Sequence, residues 1–333
     1  MKPLPRGFIL PLTIWILVAV AVVASFFAER VQRSLQLAES RQQRNDAQIE
    51  LSNARAELLF RLGTQPMTQC GLGSAPDCIA LDDRPYAYGT SVLQLQDGRG
   101  LLNLSLSSDQ QMDSLLATYP VPPEQRARLI DALRDYTDED SLRRLNGAES
   151  QEYIDRGLPS PRNQPLLTPL ELKAVFGWPQ AAALWQALPI TELVTVGPVV
   201  AINPNTAPDQ VLQSLPGISP AIARAIIERR KLGIVSVDLI DSLAGGGLAQ
   251  IPPRVIAFPA DTVRVTQSAP GLPWAQRYNV RLTPRDPVAP WQTVYFHRLE
   301  QPTGPPSAAS SPDIARLPPR LVLPSSPTVA APP

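Results

Sequence analysis

Carboxylates are the side chains in this sequence most densely arranged for chemistry. Asp135-Tyr136-Thr137-Asp138-Glu139-Asp140 is followed closely by Gly147-Ala148-Glu149-Ser150-Gln151-Glu152-Tyr153. Hard oxygen donors crowded around one loop suit Ca²⁺, which takes about 6–8 oxygens in a flexible geometry. The spacing is not that of an EF-hand. Leu142 and Arg143 stand where such a loop would carry its third side-chain ligand and its glycine. From spacing alone a solvated acidic loop competes with a metal site, because runs of charge often only face water.

The other reactive side chains are sparse. Cys70 and Cys78 are the only cysteines, separated by a polar loop with Gly71, Gly73 and Pro76. In an exported chain such a pair points to a disulfide. Two unrelated buried thiols are the alternative, and zinc would need more ligands than the pair offers. His297 is the sole histidine and lies in a strand-like stretch without a nucleophile motif beside it. Gly-x-Ser-x-Gly elbows, phosphate-binding loops with a lysine-serine end and paired metal-hydrolase histidines are all missing from the sequence. Gly245-Gly246-Gly247 reads as a helix-ending loop, and the expectation is a protein that is not an enzyme.

A third constellation is Asn203-Pro204-Asn205-Thr206-Ala207-Pro208, followed by Leu215-Pro216-Gly217-Ile218-Ser219-Pro220. Thr206 and Ser219 are apt N-caps, with Pro208 and Pro220 in the first turns of their helices. This spells a helix-hairpin-helix over 203–232. In DNA-binding versions the hairpin amides and the second helix N-terminus hold a phosphate. Arg224, Arg229, Arg230 and Lys231 could add charge to such a site. Against that role, Gly217-Ile218-Ser219 replaces the usual Gly-apolar-Gly and crowds the approach of backbone to phosphate. With 30 Lys+Arg against 30 Asp+Glu the net charge is zero, so the surface as a whole is not built for a polyanion. A structural hairpin is expected, with no nucleic acid partner.

These candidates must be held by elements, and the chain begins with an informative one. Lys2 and Arg6 precede an uncharged apolar run over 8–28. At ~1.5 Å per helical residue, roughly 20 apolar residues span a bilayer core about 30 Å thick. The basic flank favours a cytoplasmic start, which places the bulk of the chain outside. A secretory signal, with Ala19-Val20-Ala21 as a cleavage site, is one reading, but its apolar core would run only about 7–15 residues. A plain single-span anchor is another. Neither proline nor glycine interrupts 29–62, and Ala47, Leu51, Ala54, Leu58 and Leu62 form one helical stripe. The span should continue as one helix on the order of 80 Å long, ending at Gly63 and packing that stripe on a folded head.

At 333 residues the chain has room for about two folded units. Alternating apolar residues over 86–104 around Asp97-Gly98 predict a β-hairpin turning there. Helical pieces follow at 110–119, 123–137, 168–175, 179–187, 207–215 and 220–232. Strand patterns return at 262–266, 278–282 and 292–299. Strands on both sides of a helical block predict an α+β head, 63–105 and 258–300, into which an all-α domain over 106–257 is inserted. Much of the proline, 38 residues in all, lies in loops and in a Pro-rich tail over 301–333 that should be disordered.

The start of the chain resembles the leader of type IV pilins and type II secretion pseudopilins, in which a dedicated peptidase cuts after a glycine. Lys2, Arg6, Gly7 and Phe8 stand in that pattern. The resemblance implies cleavage between Gly7 and Phe8, a methylated Phe8 start and inner-membrane insertion with the head in the periplasm. Such families usually carry Glu at the fifth mature position, here Leu12. A carboxylate within the membrane is costly unless paired, and a subunit with none above it has no need of one. Leu12 is therefore similar to the K-type minor pseudopilins, proposed to sit at the fibre tip.

The acidic loop, Gly147-Ala148-Glu149-x-x-x-Tyr153 and Asn163-x-Pro165-Leu166 are also similar to K-type sequence elements. This resemblance implies calcium in the inserted domain, with Asp138, Asp140 and Glu149 as ligands and Asp135 next. The family's Asp after Glu149 is replaced by Ser150. K-type sequences contain a similar Asn-x-Asn-Thr-Ala prelude and helical hairpin without a DNA role. The fold implied is a pseudopilin fold: a long N-terminal helix on an antiparallel sheet, plus the insert. The partners implied are I-, J- and H-type minor pseudopilins, the major pseudopilin, the prepilin peptidase and the inner-membrane assembly platform. The alternative function is a membrane-anchored helix-hairpin-helix DNA receptor of the competence type.

Overall fold

The computed structural model describes residues 9–246, 255–300 and 314–318. Gly7, Phe8, Gly247 and most of the tail lie outside the described residues. A single helix, α1, runs Ile9–Thr64. Its N-terminal portion is long and apolar enough to cross a membrane, and none of that apolar window is buried by the protein. Further along, Ala47, Leu51, Ala54, Leu58 and Leu62 are buried, the same residues whose spacing marks the stripe. Burying them replaces water around an otherwise polar helix by the head's core, which is what holds the C-terminal half of α1 in place.

Small strands β1 (Met67–Thr68) and β2 (Gly71–Leu72) follow, and Cys70 and Cys78 are joined in a disulfide across this loop. The head is one six-stranded sheet. Its strands are β3 (Asp82–Tyr88), β4 (Ser91–Asp97), β7 (Thr262–Ser268), β8 (Trp274–Leu282), β9 (Trp291–Glu300) and β10 (Ala315–Arg316). They lie in the order β10-β3-β4-β7-β8-β9. Strands from before and after the helical block therefore share the sheet, and β4 pairs directly with β7 through Leu95 and Val265. Leu58, Leu62, Leu93, Leu95, Val263, Val265, Tyr278 and Val280 form the core between α1 and the sheet.

The hairpin turns one strand earlier than the sequence pattern predicts. β3 and β4 are joined at Gly89-Thr90, where Tyr88 pairs with Ser91. The Glu50 side chain of α1 accepts hydrogen bonds from the amide and hydroxyl of Thr90 and from the Ser91 amide. Gly89 has φ +58, and a Cβ there would strike the Glu50 carboxylate, so glycine is required. Asp97-Gly98 instead takes the chain out of the sheet, through a 3₁₀ turn, Gly98–Gly100, to β5 (Leu102–Asn103). The physical reason is Asp97, a buried carboxylate whose partners lie far along the chain.

The tail also departs from the expectation of disorder. Ala315 and Arg316 pair in parallel with Tyr86 and Ala87 of β3, and Leu317 packs against the sheet core. Arg61, already bonded to Glu57, donates to the Pro318 carbonyl at 2.7 Å.

The helical block has its own core, centred on Trp178, Tyr153, Leu133 and Leu172. Its elements are α2 (Asp109–Leu116), α3 (Pro123–Thr137), α4 (Ser150–Ile154), β6 (Val194–Thr195, parallel to β5), α5 (Asp209–Gln213), α6 (Pro220–Leu232) and α7 (Val237–Leu243). It is less regularly α-helical than expected. Pro169–Ala174, Ala182–Leu184 and Ile190–Glu192 are 3₁₀ turns. Prolines at 165, 169, 179 and 189 cut the segment into pieces too short to propagate an α-helix. The Trp178 indole, donating to the Leu129 carbonyl at 2.9 Å, pins these turns to α3.

Candidate metal centre

The acidic residues come together where α3 ends and α4 begins. Asp138 is the C-cap of α3, and Glu149 is the N-cap of α4. The intervening loop folds back on itself, and Asp140 fixes it by accepting the Leu142 amide at 2.7 Å. One carboxylate oxygen from each of Asp138, Asp140 and Glu149 lies within 4.8 Å of the others.

Burial sets the electrostatics of this group. Glu149 is buried, and neither of its carboxylate oxygens has a hydrogen-bond partner. Asp138 Oδ1 is buried and unpartnered as well. Desolvation raises the pKa of Glu149, and the charges of Asp135, Asp138 and Asp140 raise it further. Asp138 is raised by burial and then by Asp140. Three converging carboxylates without a counter-cation are unfavourable in such a setting.

Asp135 takes a different place from the one its ranking as a further ligand implies. Its carboxylate is fully buried and accepts the Arg144 amide at 3.3 and 3.2 Å, with the Ala148 amide also bonded to it. Burial pushes its pKa up to about 6. A Cβ at Gly147 would collide with the Asp135 carboxylate, which explains the glycine in Gly147-Ala148-Glu149. Asp135 thus shapes the loop that delivers Glu149. Tyr153, also buried, donates nothing to the carboxylates; its hydroxyl accepts the Phe176 amide at 2.8 Å.

One oxygen that spacing alone does not single out belongs to Asn163. Its amide nitrogen donates to the Asp140 carbonyl at 2.8 Å, and its Oδ1 is buried without a partner. It sits at φ +50, a left-handed conformation that Asn tolerates better than most residues. The only sequence signal for it is the Asn163-x-Pro165 pattern. Asp138, Asp140 and Glu149, with Asn163 beside them, form a set of hard oxygen donors that fits a divalent cation such as Ca²⁺.

The Asn203 motif serves the junction between block and sheet. Asp97 accepts hydrogen bonds from the amides of Arg99 and Ala260, from Asn203 Nδ2 at 2.9 Å and from the Thr206 hydroxyl at 2.8 Å. Thr206 therefore spends its hydroxyl on Asp97 instead of capping the next helix, whose N-cap is Pro208. Ser219 does cap α6, accepting the Ile222 amide. In the hairpin, Gly217 has φ +76 and its Cα faces the Ala244 carbonyl, where a Cβ would stand 3.0 Å away. Arg230 donates to the carbonyls of Pro204 and Ala207, and Lys231 pairs with Glu228. Arg224 donates to the Pro220 carbonyl at 3.1 Å, so three of the four cations are engaged within the protein.

His297 stands across from Arg277 in the β8–β9 pair and stacks on Tyr295 at 5.5 Å. Leu12 is exposed on α1.

Comparison with known proteins finds similarity to one family over parts of the chain. Residues 93–196 and residues 202–256 match two models, both described as type II secretion system (T2SS), protein K. A curated relative, the type II secretion system protein K of Dickeya chrysanthemi, is 36% identical over 134 residues, or 40% of this chain. The chain spans only 31% of that relative's length. One chain of the crystal structure of the GspK-GspI-GspJ complex from the enterotoxigenic Escherichia coli type 2 secretion system has the same fold. It matches with a TM-score of 0.55 at 18% identity, covering 81% of this chain and 100% of that one.

Proposed function

From its similarity to type II secretion system protein K over residues 93–196 and 202–256, we propose that this chain belongs to that family and acts as a minor pseudopilin at the tip of the secretion pseudopilus. The observation that carries the reading is the joining of the two family segments to a head packed on a helix of membrane-spanning length. In this reading the prepilin peptidase cuts between Gly7 and Phe8, and the new N-terminus is methylated. The apolar part of α1 is held in the inner membrane and the head lies in the periplasm. The exposed face of α1 then packs against the helices of I- and J-type minor pseudopilins, with H-type and major subunits below and the assembly platform at the base. The solved GspK-GspI-GspJ complex supports I- and J-type partners.

The tip position follows from Leu12 and from the bulk of the inserted block. A Glu at that position would pair with the terminal ammonium of a neighbour already in the fibre, and Leu12 offers no such charge. A head enlarged by residues 106–257 also leaves little room for another subunit above. The role is one of assembly and initiation, with no reaction catalysed.

Calcium belongs to the same proposal. Asp138, Asp140 and Glu149 would hold the ion, with Asn163 contributing an oxygen, and its chemistry there would be to neutralise their charge and lock the 138–149 loop. The unpartnered buried oxygens of Glu149 support this.

The test is co-purification. The full-length chain, expressed with the I- and J-type minor pseudopilins of the same secretion system, should be recovered from membranes as one complex with both. Recovery of the I–J pair without this chain would overturn the reading.

A further inference from the structure

Two adjoining cavities of about 600 and 420 Å³ run across the helical block and share Arg156, Phe176, Gly177 and Gln180 as a common wall. Together they make one groove. Its floor is apolar: Leu129 at one end and Tyr136 and Val175 at the other are buried side chains. Gly177, at φ +81, turns the chain along the middle of the groove.

The walls are cationic. Arg128 lines the first cavity, Arg162 and Lys173 line the second, and Arg156 lines both. Arg162 is taken up by Glu171 at 3.0 Å. Arg128, Arg156 and Lys173 have no ion-pair partner among the described residues, and all three are exposed. Glu124 is the one carboxylate lining either cavity. Two of the free cations are held over aromatic rings. Arg156 lies 4.6 Å from the centre of the Phe176 ring, and the Lys173 ammonium lies 5.4 Å from that of Trp185. Cation–π contact fixes their positions without consuming their charge, so both remain available to an anion.

We propose that this groove is a docking site for an extended, acidic peptide segment of a partner protein. An extended chain advances ~3.3 Å per residue and sends alternate side chains to opposite sides. Apolar side chains of one set would rest on Leu129 and Phe176, while carboxylates of the other would meet Arg128, Arg156 and Lys173. A nucleic acid fits less well. Tyr136, which lines the groove, packs on Tyr153, which feels the charges of Asp135 and Glu149. A continuous phosphate chain would be brought against those carboxylates, whereas spaced carboxylates between apolar residues avoid them. The site goes beyond the assembly role and needs neither the fibre nor the metal.

The test uses the full chain in lipid nanodiscs and a fluorescein-labelled peptide of alternating Asp and Leu, with an Asn-Leu peptide of equal length as control. At low salt the acidic peptide should bind about tenfold or more tightly than the control, and salt should weaken it. Arg156→Glu should cost a further order of magnitude or so, and Phe176→Leu should weaken both the acidic peptide and its selectivity. Arg229→Glu, on α6 outside the groove, should leave binding unchanged, and unchanged circular dichroism of each variant would verify folding. Equal binding of the two peptides would overturn the proposal, as would binding indifferent to Arg156→Glu and Arg156→Ala. A duplex oligonucleotide that competes through Arg156 as well as the peptide does would overturn it too, by making the groove a general polyanion site.

Discussion

Glu149 is the residue on which the metal reading turns, because a buried carboxylate with both oxygens unpartnered is unfavourable without a cation. Ca²⁺ at about a hundred times its Kd should add about 2.7 kcal/mol of stability, read as a rise in melting temperature that chelator reverses. Glu149→Gln should remove most of that rise while melting normally without calcium. Asp97 carries a different burden: its removal leaves the donors of Asn203, Thr206, Arg99 and Ala260 without their acceptor inside the protein. Asp97→Ala should cost on the order of 3 kcal/mol in denaturant unfolding. His297 gives a pH signature. Burial and the Arg277 charge hold its pKa below the usual value, so the unfolded chain takes up the proton first as pH falls. Stability should therefore decline below about pH 6.5, and His297→Gln should lessen the slope. Little of this is legible in the sequence. Asp97 reads as a turn residue because Asn203, Thr206 and Ala260 stand more than a hundred positions away, and the Asn163-x-Pro165 pattern does not reveal that the Asn163 carbonyl oxygen is buried.

Among the elements, α1 and the regular helices are the most legible. The stripe from Ala47 to Leu62 is written at helical spacing, and Pro123–Thr137 and Pro220–Leu232 begin at prolines suited to a first turn. Leu58→Ala on that stripe should lower head stability by about 2–5 kcal/mol. Elements defined by contacts distant in sequence are not legible. The β3–β4 turn at Gly89 depends on Glu50, and β10 depends on the edge of β3, whose position no pattern in a Pro-rich tail reveals. Truncation after Glu300 should therefore destabilise the head by about 1–3 kcal/mol, since buried Arg61 loses the Pro318 carbonyl and Leu317 leaves the core. An unchanged midpoint would show that the β10 pairing contributes nothing.

At the scale of the molecule, the sheet accepts strands from both sides of the helical block, so the block rides on a head whose own core is complete around α1. Its separate core and the Asp97 junction let it carry the acidic cluster and the groove without disturbing that packing. The order of strands, helices and strands is legible in the sequence, and the α+β architecture follows from it. On the tip model, Leu12→Glu should bring no gain in secretion; a clear gain would mean that the position is meant to pair within the fibre. The central claim is that the chain is processed and assembled as a pseudopilin, and intact-mass spectrometry of the protein taken from its native membrane tests it most directly. The account expects a chain that starts at Phe8 and carries one methyl group on its terminal nitrogen. A chain that retains Met1, or one that starts after Ala21, would contradict it.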